Sequence, residues 1–248
     1  MSNFFLKAAE MLATADRIIA LTGAGISVES GIPPFRGKGG IWEKYDPFEY
    51  AHIDSYRKHP EKVWQVFLTD LVQTLNHAKP NNGHKGLAQL EELGRLNTII
   101  TQNVDGLHQA AGNVDVIEFH GNFAWHRCMS CKSRIKTRAL DLSVLPPRCR
   151  CGGIFRPECI FFGELIPQAA LERSYRLAVQ CDVMLVVGTS ASVQPAAMIP
   201  EMAKTAGAKV IEINLERTPL TGRITDIFLQ GPAGEMMSKL VSALKTMG

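Results

Sequence analysis

Apolar residues rich in β-branched types recur in short runs along the chain, at 18–22, 98–101, 114–119, 159–162, 183–187 and 210–213. Several runs are nearly continuous rather than alternating, which predicts strands buried on both faces of a parallel sheet. Between most of them the apolar spacing lengthens to a helical period, predicting helices over 4–14, 61–76, 82–93, 168–179, 195–205 and 234–245. Strand and helix in alternation point to an α/β fold, a Rossmann-like doubly wound parallel sheet with right-handed crossovers. Two stretches break the rhythm. Residues 33–60, rich in Gly, Pro and aromatics, predict a long functional loop opening into helices, and residues 122–157, with four of the six cysteines, predict an inserted metal module.

Composition narrows the class. Apolar residues make up 46% of the 248 and charged residues 21%, ordinary globular usage, with no low-complexity tract or repeat. A net charge of +3 is too small for a wholesale nucleic-acid binder. Glu10 and Asp16 interrupt the N-terminal apolar residues, unlike the core of a signal peptide, and the run 183–187 is far too short to span a bilayer. No membrane association is expected, and a cytoplasmic location is. There, cysteines are thiols or metal ligands rather than disulfides.

The cysteine spacing is specific. Cys128-x-x-Cys131 supplies one half of a tetrahedral thiolate site, and Cys149-x-Cys151 followed by Gly152-Gly153 the other, with His126 as a substitute for Cys151 because that second pair is one residue short of the usual spacing. Few large apolar residues lie between Cys131 and Cys149, so a metal is needed to order the insertion. Four protein ligands close the site, which makes one structural zinc per chain the expectation. Cys159 and Cys181 read as small core residues. The same module carries Arg127, Lys132, Arg134, Lys136, Arg138, Arg148 and Arg150 against the single acid Asp141. If 132–138 is extended, the alternate cations share one face, as on an edge strand protected by charge.

Gly23-Ala24-Gly25-Ile26-Ser27 follows the first predicted strand, where a parallel sheet opens a crevice for a nucleotide. Glycines there let the backbone turn sharply and approach a pyrophosphate, although Val28 stands where the dinucleotide fingerprint has its third glycine. A second turn of this kind is Gly188-Thr189-Ser190-Ala191-Ser192. A third strand ends in Asn214, able to hydrogen-bond a ribose where a hydride-transferring enzyme usually has an acid.

With these segments in view, the chain resembles the sirtuin family over almost its whole length. The glycine turn, with Gly31-Ile32-Pro33-Pro34-Phe35-Arg36-Gly37, resembles the family's cofactor loop, and Thr101-Gln102-Asn103-Val104-Asp105 its nicotinamide-side motif. Glu118-Phe119-His120-Gly121 resembles the segment presenting the catalytic histidine. Phe161-Phe162-Gly163-Glu164 and Ser192-Val193-Gln194-Pro195 resemble the two segments that hold substrate peptide. The resemblance implies a Rossmann-like domain over 1–34, 77–121 and 158–248, with a small domain of 35–76, a helical cofactor-loop module, and 122–157, the zinc module.

It implies an NAD-dependent protein lysine deacetylase acting on acetylated proteins or peptides. NAD, the co-substrate, is cut rather than reduced: nicotinamide leaves, the acyl oxygen attacks the anomeric carbon, and a ribose hydroxyl then needs a general base, for which His120 is the candidate. Asn103 would orient ribose or water, Gln102 bond ribose hydroxyls, Asp105 accept from the nicotinamide carboxamide, Arg36 contact phosphates and Phe35 shield the reacting centre. Gly23, Ala24, Gly25, Ser27, Val104, Gly188, Thr189, Ser190, Asn214, Leu215 and Ala233 complete the implied NAD site. Ile160, Phe161, Phe162, Gly163, Glu164, Ser192 and Val193 form the implied peptide site. Sirtuins that take succinyl groups carry a Tyr-x-x-Arg pair on the helix lining the acyl pocket; the matching positions here are Phe67 and Asp70, which suit acetyl instead. An oxidoreductase on the same sheet, a non-catalytic NAD binder and an ADP-ribosyl transferase are the competing readings, separable by product.

Overall fold

The computed structural model describes residues 3–37 and 39–247. In chain order the strands among the described residues are β1 (Ile18–Thr22), β2 (Thr98–Thr101), β3 (Val116–Glu118), β4 (Gly121–Cys128), β5 (Arg134–Lys136), β6 (Phe155–Cys159), β7 (Val183–Val187), β8 (Lys209–Asn214) and β9 (Ile227–Gln230). Six form a parallel sheet in the order β3-β2-β1-β7-β8-β9, and β5-β4-β6 form a small antiparallel sheet.

Burial on both faces explains the continuous apolar runs: every residue of β1, β2 and β7 is buried. Alternate side chains serve two separate cores. Ile18, Ala20, Leu185, Val187, Ile211 and Ile213 pack beneath the helices Asn3–Thr14, Asn82–Glu92 and Ala233–Lys245 through Leu12, Leu87 and Leu240. Ile19, Leu21, Met184, Val186 and Val210 face the helices Gln168–Ala178 and Met198–Thr205 through Ala178 and Ile199. A third core surrounds Trp64, with Ile53, Tyr56, Phe67, Phe123 and Phe161. At its centre the Trp64 indole N–H donates to Tyr56 Oη and the Phe155 carbonyl, both at 3.0 Å. Among the described residues no helix is long and apolar enough to cross a membrane.

The pattern misleads at four places. The run 159–162 is not a strand of the parallel sheet: β6 ends at Cys159 in the small sheet, and Phe162 instead pairs with residues 51–53. Edge strand β9 leaves no mark in the pattern, because four residues with one exposed end show too little periodicity. The helix expected over 61–76 contains a π-helical turn, Trp64–Leu68, between Pro60–Val63 and Thr69–His77. Residues 132–138 are not continuously extended: Lys132 has φ +64° and Thr137–Ala139 coil into a 3-10 turn, so only Arg134 and Lys136 share a face, both over the Trp125 ring.

The strand order reverses between β1 and β7, whose carboxyl ends carry the two glycine turns. The turns grip one another: Gly23 N–H donates to the Val187 carbonyl at 3.1 Å and Gly25 N–H to the Gly188 carbonyl at 2.7 Å. A Cβ on Gly25 would stand 2.7 Å from Gly188 Cα, so the glycine is required by the opposing backbone, independently of any ligand.

Gly188 combines that contact with φ +61°, and a Cβ there would lie 2.2 Å from Ile26 N. At Gly94, with φ +67°, the space is open. Gly94→Ala should therefore cost only the backbone strain of about 1–3 kcal/mol, while Gly188→Ala should cost more and shift the turns apart. Urea unfolding of the two variants checks this; equal losses would mean the turns are not packed as described.

Candidate active site

A cleft of ≈ 1330 Å³ opens along the carboxyl edge of the parallel sheet. Of the expected cofactor residues, Gly23, Ala24, Gly25, Phe35, Arg36, Gln102, Asn103, Val104, Gly188, Thr189, Ser190, Asn214, Leu215 and Ala233 line it, together with His120. Ile160, Phe161, Phe162, Gly163, Glu164, Val193 and Phe67 line it as well. Ser27, Asp105 and Ser192 do not.

Strand ends are laced together beneath this cleft. Gln102, just past β2, donates through Nε2 to the Thr189 hydroxyl at 2.9 Å and the Thr22 carbonyl at 3.3 Å. Asn214, at the end of β8, donates to the Thr189 carbonyl at 3.0 Å. Asn103 is 7% exposed, and its Nδ2 donates to the Gly23 carbonyl and the Ser27 hydroxyl, both at 3.1 Å. Ser27 donates onward to Asp105 Oδ2 at 2.7 Å, while Asp105 Oδ1 accepts from the Leu107 N–H at 2.9 Å. With both amide directions committed, Asn103 Oδ1 is the atom left for a ligand.

Two buried histidines sit behind this network. His84 Nδ1 accepts from the Asn81 N–H, and His108 Nε2 lies 2.8 Å from the Thr22 hydroxyl. Burial pushes His84 down to about 4 and His108 down to about 3, so both are neutral near pH 7.

His120 follows β3 and belongs to both halves of the cleft. Its Nδ1 is 3.1 Å from the Gln102 carbonyl, which can only accept, so Nδ1 carries the proton and Nε2 is left as the basic atom. Its own carbonyl accepts from the Ile160 N–H at 2.9 Å, tying it to the expected peptide segment. Burial lowers the His120 pKa from its ordinary value, an effect larger than the opposing pull of the Gln102 carbonyl.

Glu164 uses its carboxylate internally. Both oxygens accept from Arg156 at 2.7 Å, and one also takes the Phe161 N–H at 2.9 Å. The pair, with its side chains only 20% and 19% exposed, fixes the turn at residues 161–164.

The apolar end of the cleft is walled by Phe67, Trp42, Leu68 and Leu71, with Trp42 5.9 Å from the Phe67 ring. Trp42 carries no motif that would have marked it in advance. Asp70 does not line the cleft: its carboxylate accepts from Lys44 Nζ at 3.0 Å and the Tyr45 hydroxyl at 2.6 Å. The π-helical turn just before Asp70 holds an extra residue, which rotates the rest of the helix about its axis.

The sulfurs of Cys128, Cys131, Cys149 and Cys151 lie within 4.8 Å of one another, with Cys128–Cys151 at 3.5 Å and Cys131–Cys149 at 3.7 Å. A tetrahedron of Zn–S bonds of about 2.3 Å needs sulfurs separated by about 3.8 Å, so the four thiols fit one zinc. Cys151 is a member despite its short spacing, because a tight turn bonds Cys149 N–H to the Gly153 carbonyl at 2.7 Å. His126 is not a member. Its ring packs between Trp64 and Phe123, with Nδ1 3.1 Å from the Thr137 hydroxyl. Cys181 is a buried core residue, its thiol pushed up to about 11 by burial, whereas Cys159 is half-buried and lines the cleft, its thiol pushed up to about 12 by its surroundings.

Residues 23–195 match the Sir2 family. The NAD-dependent protein deacylase 2 of Pyrobaculum aerophilum is 46% identical over 243 residues, covering 97% of this chain and 96% of that protein. A solved structure of a mutant Sir2 homologue with ADP-ribose aligns with a TM-score of 0.92 at 42% identity, covering 100% of this chain and 98% of the other. A Sir2 enzyme with deacetylated p53 peptide and 3′-O-acetyl ADP-ribose aligns at 0.90 and 35% identity, covering 95% and 96%. Since identity extends over nearly the whole chain and the family match includes both glycine turns and the histidine between the cleft's two halves, this chain belongs to the Sir2 family.

Proposed function

We propose that this chain is an NAD-dependent protein lysine deacetylase, converting acetyl-lysine, NAD and water to lysine, nicotinamide and O-acetyl-ADP-ribose. One observation carries the reading: His120 has its Nδ1 committed to the Gln102 carbonyl and its own carbonyl to Ile160, so a neutral base is fixed between the glycine-turn crevice and the peptide segment. Asn103 orients the ribose or a water through Oδ1, and Asp105 acts on it through Ser27. Arg36 serves the phosphates. Residues 160–164 and Val193 receive an acylated peptide or protein, held mainly through its backbone. A cytoplasmic location belongs to the same proposal, since the four-thiol zinc site needs reduced cysteines.

Incubation with NAD and an acetylated peptide should yield O-acetyl-ADP-ribose and nicotinamide. NADH, or ADP-ribosylated protein alone, would overturn the reading. His120→Ala should leave NAD binding intact and lower deacetylation by ~10²–10⁴-fold. Because burial lowers the His120 pKa, the base form survives into mildly acid solution, and the acid limb of kcat/KM should lie below pH 6.5. A limb above that value would assign it to another group.

The purified protein should contain about one zinc per chain, and its removal should unfold the small sheet, read as lost protection in hydrogen exchange. A metal-free preparation with unchanged protection and activity would refute the structural role.

The wall of Phe67, Trp42, Leu68 and Leu71 carries no cation to pair with an acidic acyl group, its one side-chain donor being the Trp42 indole N–H. Loss of charge-assisted hydrogen bonds lowers affinity by about tenfold or more, so kcat/KM for an acetyl-lysine peptide should exceed that for its succinyl counterpart by at least that factor. Equal values would show that a cation reaches this wall.

A further inference from the structure

Glu212 is 0% exposed, in the middle of β8, with its side chain on the face otherwise occupied by Val210, Leu220 and Ile224. A carboxylate in such a layer is costly unless its oxygens are hydrogen-bonded. No arginine or lysine pairs with it among the described residues. Its partners are three hydroxyls from the segment after β8: Thr218 on Oε1 at 2.5 Å, and Thr221 and Thr225 on Oε2, both at 2.7 Å. Three charge-assisted bonds thus converge from one loop onto one buried anion.

That loop is a wall of the cleft. Residues 215–219 line it, immediately after Asn214 and opposite the glycine turns. The far side of the loop is held by Leu220 and Ile224 in the core and by the Arg223–Glu201 ion pair. The hydroxyl of Thr218 ties the middle of the cleft-lining part to β8, where it ends on Glu212, while the Leu215 carbonyl accepts from Gln230 Nε2 at 3.2 Å and the Arg217 guanidinium lies over the Phe228 ring, both on β9.

We propose that Glu212 is a positioning residue for NAD: it shapes the wall formed by residues 215–219 that receives the adenosine half of the co-substrate, and so sets NAD affinity without taking part in acyl transfer. The assignment rests on the deacetylase reading above. It separates substrate terms that a purely structural carboxylate would move together or not at all.

The test uses the full-length chain with Thr221→Val and Thr225→Val, singly and combined, because neither threonine lines the cleft. Removing a hydroxyl bonded to a buried charge should raise the NAD KM by about threefold to tenfold in each single variant, and by more than tenfold in the pair. The peptide KM and kcat at saturating NAD should stay within about twofold, the ordinary scatter of substitutions away from the chemistry. Thr225→Ser, which keeps the hydroxyl, should restore the NAD KM. Direct titration with NAD, followed by calorimetry, should show the same loss of affinity at a temperature well below unfolding. Variants that melt earlier yet keep the parental NAD KM would overturn the proposal, as would a parallel fall in kcat. An unmodified protein that releases no nicotinamide would instead fail the deacetylase reading, leaving the calorimetric titration as the independent measure of Glu212.

Discussion

Everything in the cleft depends on the grip between two backbone turns at the point where the strand order reverses. Parallel strands β1 and β7 send their connections in opposite directions, and the gap between them is where a doubly wound sheet can receive a ligand. Here the gap is set by the hydrogen bond from Gly25 N–H to the Gly188 carbonyl, which brings the turns within a distance that excludes any Cβ. Gln102 and Asn214 then extend the same lacing sideways to β2 and β8, using Thr189 as the common post. The polar residues at the strand ends therefore have two duties, holding the sheet's edge together and facing the cleft.

That double duty governs how much is legible in the sequence. The central strands are legible because burial on both faces leaves a continuous apolar run, and the four thiols because ligand spacing is constrained by a tetrahedron. His120 and Asn103 are legible through their flanking motifs. The reason for the glycines is not: a turn packed against a distant turn looks, in one dimension, like a turn packed against phosphate. Asp105 and Ser27 illustrate the same limit, since whether a polar side chain faces the ligand or the residue behind it depends on contacts between residues 78 positions apart. Beyond Leu215 the wall at 215–219 carries no motif, because what holds it is contact with side chains on two strands, Glu212 on β8 and Phe228 and Gln230 on β9.

The segment after β6 shows how a turn can be positioned by charge. Arg156 on β6 and Glu164 are joined by two bonds, and the turn between them presents Phe161, Phe162 and Gly163 to the cleft. β6 in turn pairs with β4, which carries Cys128 of the thiol cluster. The thiol cluster and the turn at residues 161–164 are thus connected through one antiparallel strand pair.

The π-helical turn at Trp64–Leu68 puts one additional residue into the helix that walls the apolar end of the cleft. A helix absorbs such an insertion locally, so the segments before and after keep their packing while the side chains beyond it swing round the axis. Phe67 and Leu68 line the cleft from the turn itself, and beyond it Leu71 lines the cleft while Asp70 faces Lys44 and Tyr45. A lineage that gains or loses a single codon at this place can exchange the inward-facing set in one event. The side chains that face this end of the cleft are then open to change by register, without a point substitution in the helix.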